Sequence, residues 1–281
     1  MKSKEIISPI GKIFRWTISI ILFFYTTISI FVLLSTVLNS FKSKSDLINN
    51  LFGMPESLTL SSYITVIIED NFMTYFRNSF IVTALGTTLC IILSSMVAYG
   101  IARYNFKGRA FLTSYFLVGM MFPIQVSILP LFIIMKQINL VNTLWGMILI
   151  YSAGMSLPVF IFYKFFKTIP VAMEESAKID GANDMKVFIS IILPLCKPVI
   201  VTIALLTAIT QWNDFYMPMV FLGKKDNYTL TLGIYKYLSN FVKHMNVSFA
   251  AVVITLIPVI ILYFLFSKQM VEGLTGGSVK G

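Results

Sequence analysis

Six long apolar runs constrain what this chain can fold into. They occupy roughly residues 16–38, 79–101, 110–135, 143–166, 187–210 and 250–267. A helix needs about 20 mainly apolar residues to cross the hydrocarbon core of a bilayer. Charged residues make up 12% of the chain, half of the roughly 25% that is typical of soluble domains. The sequence therefore predicts an all-α integral membrane protein with six transmembrane helices in the lipid bilayer.

The distribution of basic residues predicts the orientation. If the N-terminus is cytoplasmic, the inner side holds 13 of the 22 Lys and Arg residues and the outer side 8, with Lys197 at a span edge. The short loop carrying Arg103, Lys107 and Arg109 is the densest patch. The positive-inside rule then places both termini in the cytoplasm and residues 39–78 and 211–249 in long outer loops.

Several function classes are disfavoured. The +10 net charge lies in short patches between apolar runs, whereas a nucleic-acid binder gathers charge on one soluble face. The spans lack the ionisable residues that mark proton or ion pathways, apart from Lys164 and Lys197 near span ends. Cys90 and Cys196 lack metal-ligand spacing, and His244 stands alone. We therefore predict no catalytic residue, no metal site, no enzyme activity and no nucleic-acid partner.

The sequence also lacks a G-x-x-x-x-G-K-[ST] phosphate loop. If the protein moves a solute uphill, the energy must come from a partner chain. We expect no cofactor in this chain, with ATP bound by the partner.

Six prolines lie within or beside the apolar runs. Proline removes a backbone donor and bends a helix. Each bend is equally compatible with a simple kink and with a helix curved around a pathway, but six together favour a cavity. These residues are Pro123, Pro130, Pro158, Pro194, Pro198 and Pro258.

A short charged segment, "PVAMEESAKIDGANDMKVFISIILPLCKP", separates the fourth and fifth runs. A helix is predicted from Val171 to Asp180, with two glutamates near its positively polarised start. Gly181 suits a left-handed helix stop. Asn183 or Asp184 can cap the next helix.

This short helix must be held by something, because an isolated helix of two or three turns is unstable in water. Ala172, Ser176 and Ile179 share one narrow face. Two interpretations stay open on physical grounds: a helix resting on the bilayer surface, or a knob that docks in a cleft of another protein.

A family resemblance favours docking. Glu175-Ser176-Ala177, Asp180-Gly181-Ala182 and Ile192-Leu193-Pro194 resemble the EAA motif of binding-protein-dependent ABC importer permeases, with Ser176 replacing one small Ala. In that family the motif forms the coupling helix, which sits in a cleft of the cytoplasmic ATPase. The resemblance makes residues 167–186 the coupling loop. It assigns ATPase coupling to Glu174, Glu175, Ser176, Ala177, Asp180, Gly181 and Ala182.

Other stretches resemble the sugar-importer branch, in particular the six-helix inner-membrane subunit of the maltose type. They are "FRNSFIVT" at 76–83, "AYGIARYNFKGR" at 98–109, "QWNDFYMPMVFL" at 211–222 and the C-terminal "GLTGGSVKG". The resemblance implies a type I (MetI-like) bundle in the bacterial plasma membrane. It divides the chain into a tail, first span and outer loop (1–78) and a five-helix core permease domain (79–281).

The implied function is the permease subunit of an ATP-driven sugar importer. The implied partners are two cytoplasmic ATP-binding subunits, a second permease subunit and an extracytoplasmic sugar-binding protein. The alternatives are import of glycerol-phosphate esters or polyols by the same machinery, or a passive channel.

Substrate contacts stay unassigned at this stage. Trp212, Asn213, Asp214 and Tyr216 offer stacking and hydrogen bonds to a sugar. The same residue types equally serve as interfacial anchors.

Overall fold

The computed structural model describes residues 9–69 and 71–275, and these form helices and connecting turns without any strand. The chain divides into two compact units. One comprises Met1–Asp70 with Tyr237–Ile254, and the other Asn71–Lys236 with Thr255–Gly281.

The first unit contains the first apolar run and two short helices in the loop that follows it. Its helices are α1 (Pro9–Asn39), α2 (Lys44–Asn49) and α3 (Ser61–Ile64), the last followed by a π turn at Thr65–Glu69. Lys42 is fully buried, and its Nζ donates to the Asn50 carbonyl oxygen over 2.6 Å. The buried cation is thereby stabilised by the carbonyl end of α2.

The second unit contains most of the remaining elements. They are α4 (Phe72–Arg103), α5 (Arg109–Gly119), α6 (Ile128–Gln137), α7 (Leu144–Ala153), α8 (Ser156–Phe166), α9 (Ala172–Ile179), α10 (Asp184–Val187), α11 (Leu193–Leu195), α12 (Lys197–Asn213) and α13 (Tyr216–Phe221). The next helix, α14 (Leu230–Leu238), begins in the second unit and ends in the first. A π turn at Phe188–Ile192 joins α10 to α11. The final helix, α15 (Met245–Thr275), begins in the first unit and ends in the second.

Three helices are individually long and apolar enough to cross a membrane, namely α1 from Phe14, α4, and α15 as far as Phe266. Three bent pairs qualify as well: α5 with α6 at 106°, α7 with α8 at 43°, and α10–α11 with α12 at 76°. Counting each pair as one span gives six, in the predicted order. The all-α membrane fold is thus confirmed, with three spans broken instead of continuous.

Three helices start five to seven residues before the predicted spans. Residues 16, 79 and 250 were predicted to start the first, second and sixth spans, whereas α1 starts at Pro9, α4 at Phe72 and α15 at Met245. Polar residues such as Asn78 fall within the first turns, so hydropathy alone does not reveal that these turns are helical.

The prolines account for much of the bending, as predicted. Pro123 lies in the break after α5, and Pro194 and Pro198 flank the bend at Cys196. Pro130 and Pro258 lie inside α6 and α15 without a break.

α4 is the central element of the second unit, packing against α7, α8 and α12. Gly86 permits this close approach, since a Cβ there would lie 3.0 Å from both Gln211 Oε1 and Tyr151 Cβ. The C-terminal half of α4 belongs to an apolar cluster that includes Ala98, Tyr99, Phe162, Phe166 and Phe188. This cluster connects α4 to both ends of the charged segment.

Candidate functional site

The charged segment folds as the helix, stop and restart that the sequence predicts. The helix α9 is one residue shorter at each end than predicted. Gly181 adopts the left-handed conformation with φ of 85°. The Ala182 amide donates to the Ala177 carbonyl oxygen and the Gly181 amide to that of Lys178, both over 3.0 Å. These two bonds form a Schellman motif, which ends α9 and fixes the direction of the chain.

The restart is capped by Asn183, one of the two predicted residues. Its Oδ1 accepts a hydrogen bond of 2.8 Å from the Lys186 amide, at the start of α10. Asp184 lies in the first turn, where a carboxylate is favoured by the helix dipole.

Glu174 faces the interior of the chain. Its side chain is buried, and Arg103 Nε donates to its Oε1 over 2.6 Å. The Tyr99 hydroxyl donates to Oε2 over 2.9 Å, while Arg103 Nη2 donates to the Ile169 carbonyl oxygen over 2.9 Å. Glu174 therefore ties α9 to the end of α4.

The remaining predicted coupling residues lie on the outward side or at the turn. Glu175, Ser176, Asp180 and Gly181 are exposed, while Ala177 and Ala182 pack partly against the apolar cluster. Ile179 is 86% exposed. Three further apolar residues near it are also exposed: Val171, Met173 and Met185. α9 thus presents a mixed apolar and acidic surface.

An exposed ion pair joins α9 to α10 within the charged segment. Lys178 Nζ lies 2.7 Å from Asp184 Oδ1, and both side chains are about half exposed. Because solvent screens exposed ion pairs, this contact adds little to stability.

A cavity of about 620 Å³ lies among the bent spans. Side chains from α7, α8, α12 and α13 line it, together with Ile124 and Gln125. Pro158 is in its wall, as the interpretation of bent helices around a pathway requires. Three of the four aromatic and polar candidates, Asn213, Asp214 and Tyr216, also line it.

Trp212 is placed differently. It is buried, its Nε1 donates to the Thr255 carbonyl oxygen over 3.4 Å, and its ring meets Phe76 edge-on. Trp212 therefore packs the bundle and does not belong to the cavity lining.

Several polar side chains of the cavity lining form hydrogen bonds within the protein. Asp214 accepts from the Tyr151 hydroxyl and the Tyr216 amide over 2.9 and 2.8 Å. Gln211 Oε1 accepts from Thr87 Oγ1 over 3.2 Å. Together with the Asp214 carboxylate, hydroxyl and amide groups in a mostly apolar wall can exchange hydrogen bonds with a polar, uncharged solute. Within residues 9–69 and 71–275 no group of His, Cys, Asp and Glu side chains could hold a metal ion.

Bent membrane helices around a cavity, with a short helix held against α4 in the loop after α8, define a transmembrane permease subunit. Residues 90–274 match the family model "binding-protein-dependent transport system inner membrane component", and the chain belongs to this family. It is accordingly a multi-pass protein of the bacterial inner membrane, in a family that works with a solute-binding protein and an ATPase.

Individual relatives match this chain over most of its length. A probable ABC transporter permease protein, YurM of Bacillus subtilis, is 33% identical over 94% of this chain and 88% of its own. AmyC of Thermoanaerobacterium thermosulfurigenes, a probable permease for starch degradation products, is 34% identical over 86% of this chain and 88% of its own. A chain from a bacterial ABC transporter involved in importing the acidic polysaccharide alginate superposes with a TM-score of 0.82 at 24% identity, over 93% of this chain and 98% of that one.

Proposed function

We propose that this chain is the permease subunit of an ATP-driven importer of oligosaccharides or multiple sugars, and that α9 docks in a cleft of a separate ATPase. The observation that carries this proposal is the outward surface of α9. Ile179 is exposed on a helix that is itself fixed to α4 through Glu174. A rigidly held helix with an exposed apolar and acidic surface fits a protein cleft.

The proposed assembly has two ATP-binding subunits, a second permease subunit and an extracytoplasmic sugar-binding protein, with both termini of this chain in the cytoplasm. ATP hydrolysis is assigned to the ATP-binding subunits, since the chain has no phosphate loop in its sequence. ATP binding draws α9 and the corresponding helix of the second permease subunit together, and the bent spans rock so that the cavity opens alternately to each side.

A carbohydrate fits the cavity better than a phosphate ester does. Among the described lining residues there is no Arg or Lys, and phosphate recognition relies on such cations. The relative AmyC is named for starch degradation products, which agrees with an uncharged oligosaccharide. We therefore favour a sugar over glycerol-phosphate esters.

The docking proposal is tested by purifying the tagged chain in mild detergent, as wild type and as Glu175→Arg. We expect the wild type to bring down an ATPase and Glu175→Arg to lose most of it. Glu56→Arg, an equal charge reversal at an exposed site outside the coupling loop, is the matched control and should retain the ATPase. If the wild type retains its partner permease but no ATPase, the docking proposal is wrong and the passive channel is favoured.

The substrate class is tested separately with the complete transporter in proteoliposomes. ATP-dependent uptake of a labelled maltooligosaccharide, with no uptake of glycerol 3-phosphate, supports the proposal. The reverse result would show that the machinery carries phosphate esters.

A further inference from the structure

The last residue of α4 holds the start of the coupling segment at two points. Arg103 binds α9 through Glu174 and also donates to the Ile169 carbonyl oxygen just before α9. The end of α4 is therefore tied both to α9 and to the chain that leads into it.

The contact through Arg103 lies in a buried site. The side chains of Arg103 and Glu174 are only 10% and 5% exposed, and the Tyr99 hydroxyl also donates to the carboxylate. Separating a buried ion pair leaves an uncompensated charge in a poorly solvated site, which is strongly unfavourable. The ion pair of Lys178 and Asp184, by contrast, is exposed and joins α9 to α10, so it does not hold α9 against α4. Separation of α9 from α4 is therefore opposed mainly by Arg103.

α4 differs from the three broken spans in being continuous over its 32 residues, about 48 Å at the usual helical rise. Its N-terminal part is tied to a different segment. Asn78 Nδ2 donates to the carbonyl oxygens of Asp226 and Tyr228 over 2.7 and 3.0 Å, and Ser79 Oγ accepts from the Leu230 amide over 2.7 Å. One unbroken helix thus connects the coupling segment with residues 226–230.

We propose that Arg103 is a positioning residue that makes α4 move as one body with α9, so that displacement of α9 by the ATPase is transmitted to residues 226–230. This inference rests on the proposed docking of α9. It assigns Glu174 a different role from Glu175: Glu174 transmits the motion inside the chain, and Glu175 contacts the partner.

The test replaces the buried pair without leaving a charge behind, using Arg103→Met together with Glu174→Gln. Glutamine keeps an acceptor for Tyr99, and removing both charges together leaves no unpaired ion in the buried site. In the reconstituted complete transporter we expect ATP hydrolysis to persist, while sugar uptake per ATP falls by roughly fivefold or more. The matched control, Lys44→Met with Glu56→Gln, removes one exposed cation and one exposed carboxylate outside the coupling loop and should leave this ratio unchanged.

A distance measurement separates transmission from a general loss of fold. Spin labels at Thr168 and Met73, both exposed, report on the chain just before α9 and on the start of α4. Both native cysteines are buried. With the ATPase bound, nucleotide should leave this distance unchanged in otherwise wild-type protein and should shift or broaden it in the double variant.

Three outcomes overturn the inference. The first is unchanged sugar uptake per ATP in the double variant. The second is a nucleotide-induced shift of the distance while the ion pair is intact. The third is loss of the ATPase from the purified complex of the double variant. The last result would make the pair a shaping element of the docking surface. Failure of the docking proposal looks different, because the ATPase would then be absent from the wild type.

Discussion

At the scale of single residues, Gly181 determines how α9 ends. Its φ of 85° is unfavourable for residues with a Cβ, yet no atom lies within 4 Å of the position a Cβ would take. Gly181→Val should therefore cost about 1–2 kcal/mol through backbone conformation alone. We expect normal amounts of the variant in the membrane but reduced sugar uptake, because the Schellman turn that aims α9 is distorted.

Gly181→Asn serves as the matched control, because asparagine tolerates the left-handed region. It should retain most of the uptake. Equal loss in both variants would show that the position matters for a reason other than its backbone conformation.

The adjacent glutamates of α9 should respond in opposite ways. Glu174→Ala leaves Arg103 buried without its partner, so the free energy of unfolding should fall by about 3 kcal/mol. Glu175→Ala removes an exposed side chain and should leave the free energy of unfolding nearly unchanged while weakening ATPase binding. Thermal unfolding of the purified permease and ATPase retention measure the two effects. Similar unfolding midpoints for both variants would contradict the assigned burial.

The local parts of the site were predictable from the sequence, and the long-range part was not. The helix stop at Gly181 and the N-cap at Asn183 follow from the residue types and from their distance to the end of α9. Arg103 and Glu174 are 71 residues apart, so no periodicity connects them. A span-edge arginine indicates that some acceptor is needed, but only the packing of α4 against α8 and the start of α9 shows which one.

At the scale of helices, two glycines with similar sequence surroundings have different roles. A Cβ at Gly146, in α7, would collide with the main-chain carbonyl oxygen of Leu140, which no side-chain rotation can relieve. Gly146→Ala should therefore lower the free energy of unfolding by about 1–3 kcal/mol.

Gly100, in α4, is the matched control because nothing lies within 4 Å of its Cβ position. Gly100→Ala should be neutral or stabilising by about 0.5–1 kcal/mol, since alanine loses less conformational entropy in a helix. Thermal unfolding midpoints of the two purified variants test the contrast. Equal midpoints would mean that α7 can shift away from Leu140.

The helical architecture was largely predictable because apolar length and proline are strong signals. The sequence indicated six spans and the presence of bends. It could not give the bend angles, which range from 43° to 106°. Those angles depend on which neighbouring helices satisfy the backbone groups that proline and the adjacent turns leave free.

At the scale of the whole molecule, a substitution at Asn78 tests how strongly α4 holds residues 226–230. Its side chain is fully buried and donates to two carbonyl oxygens. Asn78→Asp replaces the donor by an acceptor facing those oxygens, a loss of about 3 kcal/mol for a buried group. We expect faster amide exchange at residues 226–230.

Asn105→Asp, the same change at an exposed position, controls for the added charge and should leave that exchange unchanged. Protection at residues 226–230 that is equal in Asn78→Asp and wild type would show that other contacts hold this segment.

The exposed apolar residues of α9 have a consequence for the life of the protein in the cell. Ile179, Val171 and Met173 face outward when the chain stands alone. If the ATPase covers them, each permease chain made in excess of the ATPase exposes an apolar surface that chaperones, proteases and other unassembled copies can bind. Balanced synthesis of the two subunits would then be a requirement of quality control as well as of transport, and surplus permease would be the first component to be degraded.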